Sequence, residues 1–417
     1  MCCRDKNLSI KGVKGLMSEN LDKDTADVVC NVSAKDVKES NLVLRKFYDE
    51  ISKEMDVAWN YCPFRVNKTI FIGFSTFGKM WLDYNKKGQI KNLYIATESM
   101  ELHNIVKDAL EKAVKDHDSM ITYYVGVEFE TNDICFQTMC KNDIKVETNV
   151  MNNRNITVVK FAVKAFGDFD LKYIVTQKVN YLKHLMCVYT NCQFEMHNDY
   201  FLFDSLKFEE NDWENYDYDW MDEFYDEVDG KKYAVLLPDF FDMYRVILDN
   251  DSYNKTIRLL LNSAQEIYCG KLMIDDVVDN PKYNIPGFVD IVDTVLISAL
   301  EPLSNIGSDK PENCPICGNL KYKIRYKVKD LCEQYVGDYL TKKIADIDYG
   351  RRSDFLHEGH ARTNEFYMGR CVPQINTSTG NSMLNVSYID LNLLNYATYI
   401  FRKKLHDVLK DEDLLYS

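Results

Sequence analysis

The amino-acid sequence predicts an α+β protein, in which a mixed α/β N-terminal domain is followed by an all-α helical bundle. Two observations predict this class. Short β-like runs alternate with helical segments as far as residue 207, and beyond residue 254 apolar residues recur at i, i+3, i+4 and i+7. The chain has 417 residues, 46% of them hydrophobic and 13% aromatic. This length exceeds what one compact core usually holds, so we expect more than one domain.

The N-terminal half begins with a polar arm, residues 1–40, which shows little periodicity. A helix is predicted from about Asn41, and two more at 100–117 and 171–186. Four β-like runs lie among them: KTIFIGFSTFGKMWLDY, NLYIATES, MITYYVGVEFET and NITVVKFAVKAFG. We interpret residues 41–207 as an α+β domain. No catalytic constellation occurs before residue 240, so sensing or regulation by an unknown trigger is our hypothesis for it.

An acidic and aromatic segment, residues 208–230, separates the two halves. Between Glu209 and Asp229 the sequence holds eleven acidic residues, six aromatic residues and no Lys or Arg. Without it the net charge of −14 falls to −3 (−14 + 11), so the acidity is local and does not exclude a nucleic-acid partner. Three interpretations stay open: a solvated linker, a docking segment for a partner or domain, and an internal mimic of RNA that shields a basic site.

The remaining residues, 231–417, are predicted to form the helical bundle. Helices are expected at 254–274, 287–304, 319–347 and 391–410. In the third of them six apolar residues stand at intervals of four: Ile324, Val328, Cys332, Val336, Leu340 and Ile344. Such stripes bury one side of a helix against its neighbours.

The stretch KPENCPICGN places Cys314 and Cys317 in a CPxCG pattern, which is half of a common zinc site. No second C-x-x-C follows. Cys371 and His360 are candidate distant ligands, whereas Cys332 lies in the apolar stripe and is expected in the core. A structural zinc, a tight turn with two reduced thiols and a redox pair are the alternatives.

The composition predicts a cytoplasmic protein with no membrane association. No run of eighteen apolar residues exists, and the N-terminus MCCRDKNLSIKG lacks the apolar core of a signal peptide. The number of cysteines, thirteen, is odd, and they are scattered, unlike a disulfide framework. The Cys2–Cys3 pair is a single acylation signal, which rarely anchors a protein by itself.

The stretch YGRRSDFLHEGH, residues 349–360, carries the candidate site. Arg352 and His357 are five residues apart, about 140° around a helix, so both can border one cleft without touching. A histidine can move a proton to or from a ribose 2′-OH or a leaving 5′ oxygen. An arginine supplies a permanent charge and a planar donor fork for a phosphate. Together they suit metal-free cleavage of RNA, although this spacing also arises by chance.

Residues 252–410 resemble the Apea-like branch of the HEPN superfamily of helical-bundle ribonucleases. The resemblance is carried by NKTIRLLLNSAQEIY at 254–268, VLISALEPLS at 295–304, the helix KYKIRYKVKDL and IDYGRRSDFLHEG at 347–359. The last is similar to the family's tyrosine-arginine-serine…histidine-glycine signature. It departs from it at Glu358, which stands between His357 and Gly359.

The resemblance implies an endoribonuclease that needs no metal or other cofactor, with Arg352 and His357 as catalytic residues. It also implies a homodimer that shares one groove, a 2′,3′-cyclic phosphate product, and a role in bacterial anti-phage defence by abortive infection. RNA is the expected partner, single-stranded or looped, with a tRNA anticodon loop suggested by family analogy. Some HEPN domains are inactive, and a non-catalytic dimerisation or nucleotide-binding module is the alternative.

A second group of residues in the same stretch could bind substrate or could simply be surface residues. Arg351 is a candidate for a backbone phosphate, and a carboxylate at Glu358 could orient His357. The whole group consists of Arg351, Ser353, Asp354, Glu358 and His360.

Overall fold

The structure is a computed structural model. It describes residues 23–66, 69–131, 134–151, 154–205, 208–211, 225–228, 231–234, 236–251, 253–279, 288–308, 312–313, 320–321, 323–358, 374–375, 382–383 and 391–411. The described residues fall into two compact units, one within Met1–Tyr123 and Val163–Ile174 and the other within Tyr124–Ala162 and Val175–Ser417. Sheets and helices are both abundant, which confirms the α+β class. The domain boundaries at 40, 207 and 230 stay predictions.

The first unit is an antiparallel sheet covered by two helices. Its five strands run in the order β1-β5-β4-β3-β2. They are β1 Val28–Asn31, β2 Trp59–Val66, β3 Thr69–Ser75, β4 Gly78–Tyr84 and β5 Ile90–Ala96. Helix α1 is Val37–Ser52 and helix α2 is Met100–Lys115. Apolar residues of both helices, such as Phe47 and Leu110, pack in one core with Leu93 of β5. The β-like run KTIFIGFSTFGKMWLDY forms β3 and β4, and the predicted helix at 100–117 is α2, so both predictions are confirmed.

Helix caps explain where the two helices begin. The Asp36 side chain accepts a hydrogen bond from the Glu39 backbone N–H at 2.8 Å, and Ser99 accepts one from Leu102 at 3.2 Å. Each cap satisfies a backbone donor that has no partner inside the helix.

The second unit contains two further sheets. One has the order β11-β6-β10-β9-β8, with β12 also paired to β6. Its strands are β6 Ile121–Thr131, β8 Met139–Lys141, β9 Ile144–Met151, β10 Arg154–Ala165, β11 Glu195–Met196 and β12 Phe201–Phe203. The other has the order β13-β14-β7, from β7 Cys135–Phe136, β13 Tyr225–Val228 and β14 Lys231–Ala234. Helix α3, Asp168–Thr190, continues into this unit and includes the predicted helix at 171–186.

The described ends of the acidic segment are ordered. Asn211 exchanges hydrogen bonds with the backbone of Cys140, at 2.6 and 3.1 Å, and Glu210 accepts from the Asn142 N–H at 2.8 Å. At the other end, β13 pairs with β14. Residues 212–224, with Trp213 and Trp220, lie outside the described residues, so the three interpretations stay open.

Helices dominate the rest of the second unit. They are α4 Pro238–Asp249, α5 Lys255–Asp279, α6 Phe288–Ser298, α7 Leu300–Ser304, α8 Ile324–Tyr335, α9 Asp338–Thr341, a π-helix Lys342–Asp348, α10 Tyr349–Glu358 and α11 Leu391–Lys410. Helix α5 packs against α6, α7 and α11. At the α5–α6 crossing, a Cβ on Gly270 would lie 2.5 Å from Leu296 Cδ2, so any larger residue would force the buried Leu296 side chain to shift.

The predicted helix at 319–347 is not continuous, which corrects the sequence interpretation. Helix α8 ends at Tyr335, Val336 is extended, and a new helical run begins after Gly337. Residues four apart advance by about 400°, so a stripe of fours drifts about 40° per step and cannot stay on one face of a straight α-helix. With the break and the π-helix in place, the side chains of Val336 and Ile344 are both buried. Cys332 is fully buried, as expected.

Two small strand pairs lie in this part of the chain, Glu312–Asn313 with Leu320–Lys321 and Gln374–Ile375 with Ser382–Met383. The first pair flanks the CPxCG sequence. Within the described ranges, no helix is long and apolar enough to cross a membrane.

Candidate functional site

Helix α10 carries both residues of the predicted pair. It follows the π-helix without interruption, because Tyr349 has α-helical dihedral angles and its N–H donates to the Ile344 carbonyl. Gly350 therefore lies inside a helical run rather than before one. Helix α10 therefore presents no free N-terminus to a phosphate at Gly350, because the preceding turn occupies the N–H group of Tyr349.

Arg352 is half-buried and points to the junction of α6 and α7. Its Nη2 lies 2.9 Å from Glu301 Oε1, and the two side chains are 17% and 19% exposed. Its Nε donates a long hydrogen bond, 3.4 Å, to Ser298 Oγ. A charge-assisted pair at this partial burial is worth more than one in open solvent, because water screens it less.

Tyr349 completes a triad with Arg352 and Glu301. Its hydroxyl donates to Glu301 Oε1 at 3.0 Å, and the Arg352 guanidinium carbon lies 5.4 Å from its ring centre. Burial and the nearby Glu301 carboxylate raise the pKa of Tyr349 to about 12. The hydroxyl therefore stays protonated and keeps donating to Glu301.

A second carboxyl group, Glu266 of α5, belongs to the same cluster. Burial first, and then the charge of Glu301, raise the pKa of Glu266, while Arg352 opposes this. Its Oε2 is inaccessible to solvent and has no hydrogen-bond partner among the described residues. The cluster thus contains one arginine, Arg352, and two carboxyl groups, and burial favours the neutral form of one of them, Glu266.

His357 lies five residues further along α10, and its side chain is exposed. The helix separates the two residues by about 7.5 Å along its axis and about 140° around it. Arg352 is half-buried and His357 is exposed, and the continuous helix gives the two residues the angular relation that their spacing predicts. Ser353 and Asp354, two further residues of the predicted site, differ in burial: Ser353 is half-buried and Asp354 is exposed.

Arg351 is engaged elsewhere. Its Nη1 lies 3.2 Å from Asp348 Oδ1, and Lys343 Nζ lies 3.0 Å from the other carboxylate oxygen. Its side chain is 37% exposed and can still reach a phosphate. A narrow cleft of about 260 Å³, part of it open solvent, borders this group; it is lined by Asp290, Asp293, Thr294, Asp348, Arg351, Arg352 and Phe355. Its mixed charges do not define one ligand.

Several predicted residues cannot be placed. His360, Cys314, Cys317 and Cys371 lie outside the described residues, and so does the side chain of Glu358. The described part of the chain holds no group of three or more His, Cys, Asp or Glu side chains that could bind a metal. The zinc site therefore stays a prediction.

No family model, curated protein or solved structure matches the chain. The interpretation of the site therefore depends on its own geometry and on the sequence resemblance.

The sequence pattern assigns no role to Glu301 or Ser298, although both lie in the stretch VLISALEPLS. They are 51 and 54 residues from Arg352 along the chain (352 − 301 and 352 − 298), and neither occurs in a spacing that predicts contact. Only the packing of α10 beside the α6–α7 junction brings the three together.

Proposed function

We propose that the helical part of the second unit is a HEPN-type endoribonuclease that cleaves RNA without a metal. The observation that carries the proposal is helix α10, which presents an arginine held by Glu301 and Tyr349 and, about 1.4 turns later, an exposed histidine. The sequence resemblance over residues 252–410 supports the same function.

The reaction follows from the two side chains. The imidazole of His357 takes the proton of a ribose 2′-OH, and the 2′ oxygen attacks the adjacent phosphorus atom. Arg352 stabilises the charge that develops on the phosphate oxygens. The bond to the 5′ oxygen breaks, this oxygen takes up a proton, and the products end in a 2′,3′-cyclic phosphate and a 5′-hydroxyl. Water is not consumed in this step.

The active form in this proposal is a homodimer in which each protomer contributes Arg352 and His357 to one groove. His357 and its neighbour Leu356 are both exposed, Leu356 by 50%, so this end of α10 is available to a second copy. A groove of this kind reaches an unpaired backbone more easily than the deep groove of double-stranded RNA. Single-stranded or looped RNA, including a tRNA anticodon loop, is the proposed substrate, and anti-phage defence in the cytoplasm is the proposed role.

One observation favours a second candidate, a non-catalytic HEPN module for dimerisation or nucleotide binding. Arg352 is already paired with Glu301, as an arginine with a structural role would be.

The experiment that separates the two is incubation of the full chain with total RNA in EDTA, next to Arg352→Ala and His357→Ala. Metal-free cleavage that both substitutions abolish supports the ribonuclease. Absence of cleavage by the wild-type protein, or cleavage that persists in both variants, contradicts it.

A further inference from the structure

The contacts of the Arg352 guanidinium are confined to one of its edges. Glu301 contacts Nη2 and Ser298 contacts Nε, and these two nitrogens form the side edge of the planar group. Nη1 makes no hydrogen bond or ion pair with any of the described residues. A guanidinium has five N–H donors, so the end formed by Nη1 and Nη2 keeps enough of them for a bidentate contact with a phosphate.

We propose that Glu301 is a positioning residue for this site. Its contact holds the Nε–Nη2 edge of the Arg352 guanidinium in place, so that the Nη1–Nη2 end faces an RNA phosphate. This role deepens the proposed function and rests on it. Tyr349 fixes Glu301 in turn, since its hydroxyl donates to the same carboxylate oxygen that binds Arg352.

The ion pair with Glu301 preorganises the Arg352 side chain for substrate binding. A free arginine side chain has many rotamers, and ordering them when RNA binds would cost affinity and misplace the charge. Glu301 and the Tyr349 ring restrict the guanidinium before the substrate arrives, so it does not have to reorganise as charge develops on the phosphate. Without Glu301, Arg352 keeps its positive charge, but its guanidinium is no longer held in one orientation.

A simple charge effect would act in the opposite direction. Glu301 is negative and close to where the phosphate would bind, so removing its charge should strengthen RNA binding by electrostatics alone. Positioning predicts weaker binding and slower cleavage after the same change. Glu301→Gln therefore distinguishes the two by the sign of its effect.

The test uses the full chain and a single-stranded RNA oligonucleotide in EDTA. We expect Glu301→Gln to lower kcat/KM about a hundredfold, the loss that a misplaced group can cause. In an Arg352→Ala background, where cleavage is abolished, it should cause little further loss of binding to a 2′-O-methyl oligonucleotide, because Glu301 acts through Arg352. Glu333→Gln is the matched control: it removes a negative charge from an exposed residue of α8, 51% accessible, and should cleave like the wild type.

Binding of a 2′-O-methyl oligonucleotide, which cannot be cleaved by this chemistry, gives a readout separate from catalysis. Glu301→Gln should bind it more weakly than Glu333→Gln does. If Glu301→Gln lowers the melting temperature, Glu301→Asp replaces it; this variant keeps the charge, withdraws the carboxylate by one methylene, and should also lower kcat/KM.

The possible failures are distinguishable. A wild-type chain that does not cleave RNA overturns the proposed function and the positioning role with it. If the wild type cleaves and Arg352→Ala does not, but Glu301→Gln cleaves as fast as Glu333→Gln, only the positioning role is overturned. Additive losses of oligonucleotide binding in the Glu301→Gln, Arg352→Ala double variant overturn it as well.

Discussion

Lys178 of helix α3 offers a sharp test of how the second unit is held together. It is 2% exposed, and its ammonium group donates to the carbonyls of Ile247 and Asn250 at 2.5 and 2.6 Å and to the Tyr253 hydroxyl at 3.0 Å. Among the described residues, these three acceptors are available to its three N–H donors. The two carbonyls lie at the C-terminal end of α4, where backbone acceptors lack partners inside the helix and the helix dipole favours a positive charge.

Lys178→Met keeps most of the side-chain volume and removes the charge and the donors. Each lost hydrogen bond from the ammonium group costs about 1.5–3 kcal/mol, although the Ile247 carbonyl keeps the Tyr253 hydroxyl as a donor at 3.2 Å. Removing the buried charge offsets part of this loss of unfolding free energy, because the ammonium group no longer has to be desolvated. The net loss of unfolding free energy should be about 3 kcal/mol, enough to lower the melting temperature by several degrees.

The assay is thermal unfolding, with amide hydrogen exchange along α4 to locate the effect. We expect faster exchange near Ile247 in Lys178→Met than in the wild type. Lys255→Met, which changes an exposed lysine of helix α5 in the same unit, is the control and should be near neutral. If Lys178→Met were as stable as this control, the lysine would not cap α4 and the reasoning would be refuted.

Two further predictions concern the interior of the second unit. Burial lowers the pKa of His184 to about 4, below the roughly 6.5 of an unfolded chain, so the unfolded state binds more protons as the pH falls. Its contribution, at most about 3 kcal/mol, is present above pH 6.5 and lost towards pH 4; unfolding of His184→Gln between these values should depend less on pH, and an unchanged dependence would contradict the assignment. Gly270→Ala should lower stability by about 1 kcal/mol, because contact with Leu296 outweighs the gain in helix propensity. Gly350→Ala, in open space, should raise stability, and equal effects of the two glycine substitutions in thermal unfolding would refute the packing argument.

The elements that sequence predicted best are those whose pattern is local. Helix α11 coincides with the predicted 391–410, because its apolar residues keep a period near 3.6. The β-like run KTIFIGFSTFGKMWLDY is also confirmed, although it forms two strands, β3 and β4, rather than one run. Helix α4 was missed. It begins at Pro238 and has twelve residues, and its buried aromatic pair Phe240 and Phe241 gives no clear period.

What sequence could not supply depends on contacts between distant segments. The apolar residues spaced four apart from Ile324 to Ile344 predict one continuous helix. Only the drift of this pattern around the helix, about 40° per step, indicates the break at Gly337. At the site, the R-x-x-x-x-H spacing gave the relation between Arg352 and His357, which depends on helix geometry alone. The partners of Arg352 could not be inferred, because Glu301 reaches it through the packing of three helices.

The central claim is that Arg352 and His357 cleave RNA by an internal transesterification. Mass spectrometry of the RNA ends produced by the full chain in EDTA tests it most directly. The account predicts 2′,3′-cyclic phosphate and 5′-hydroxyl ends from the wild-type protein and no product from His357→Ala. Products with 3′-hydroxyl and 5′-phosphate ends, or the same cyclic ends from His357→Ala, would contradict it.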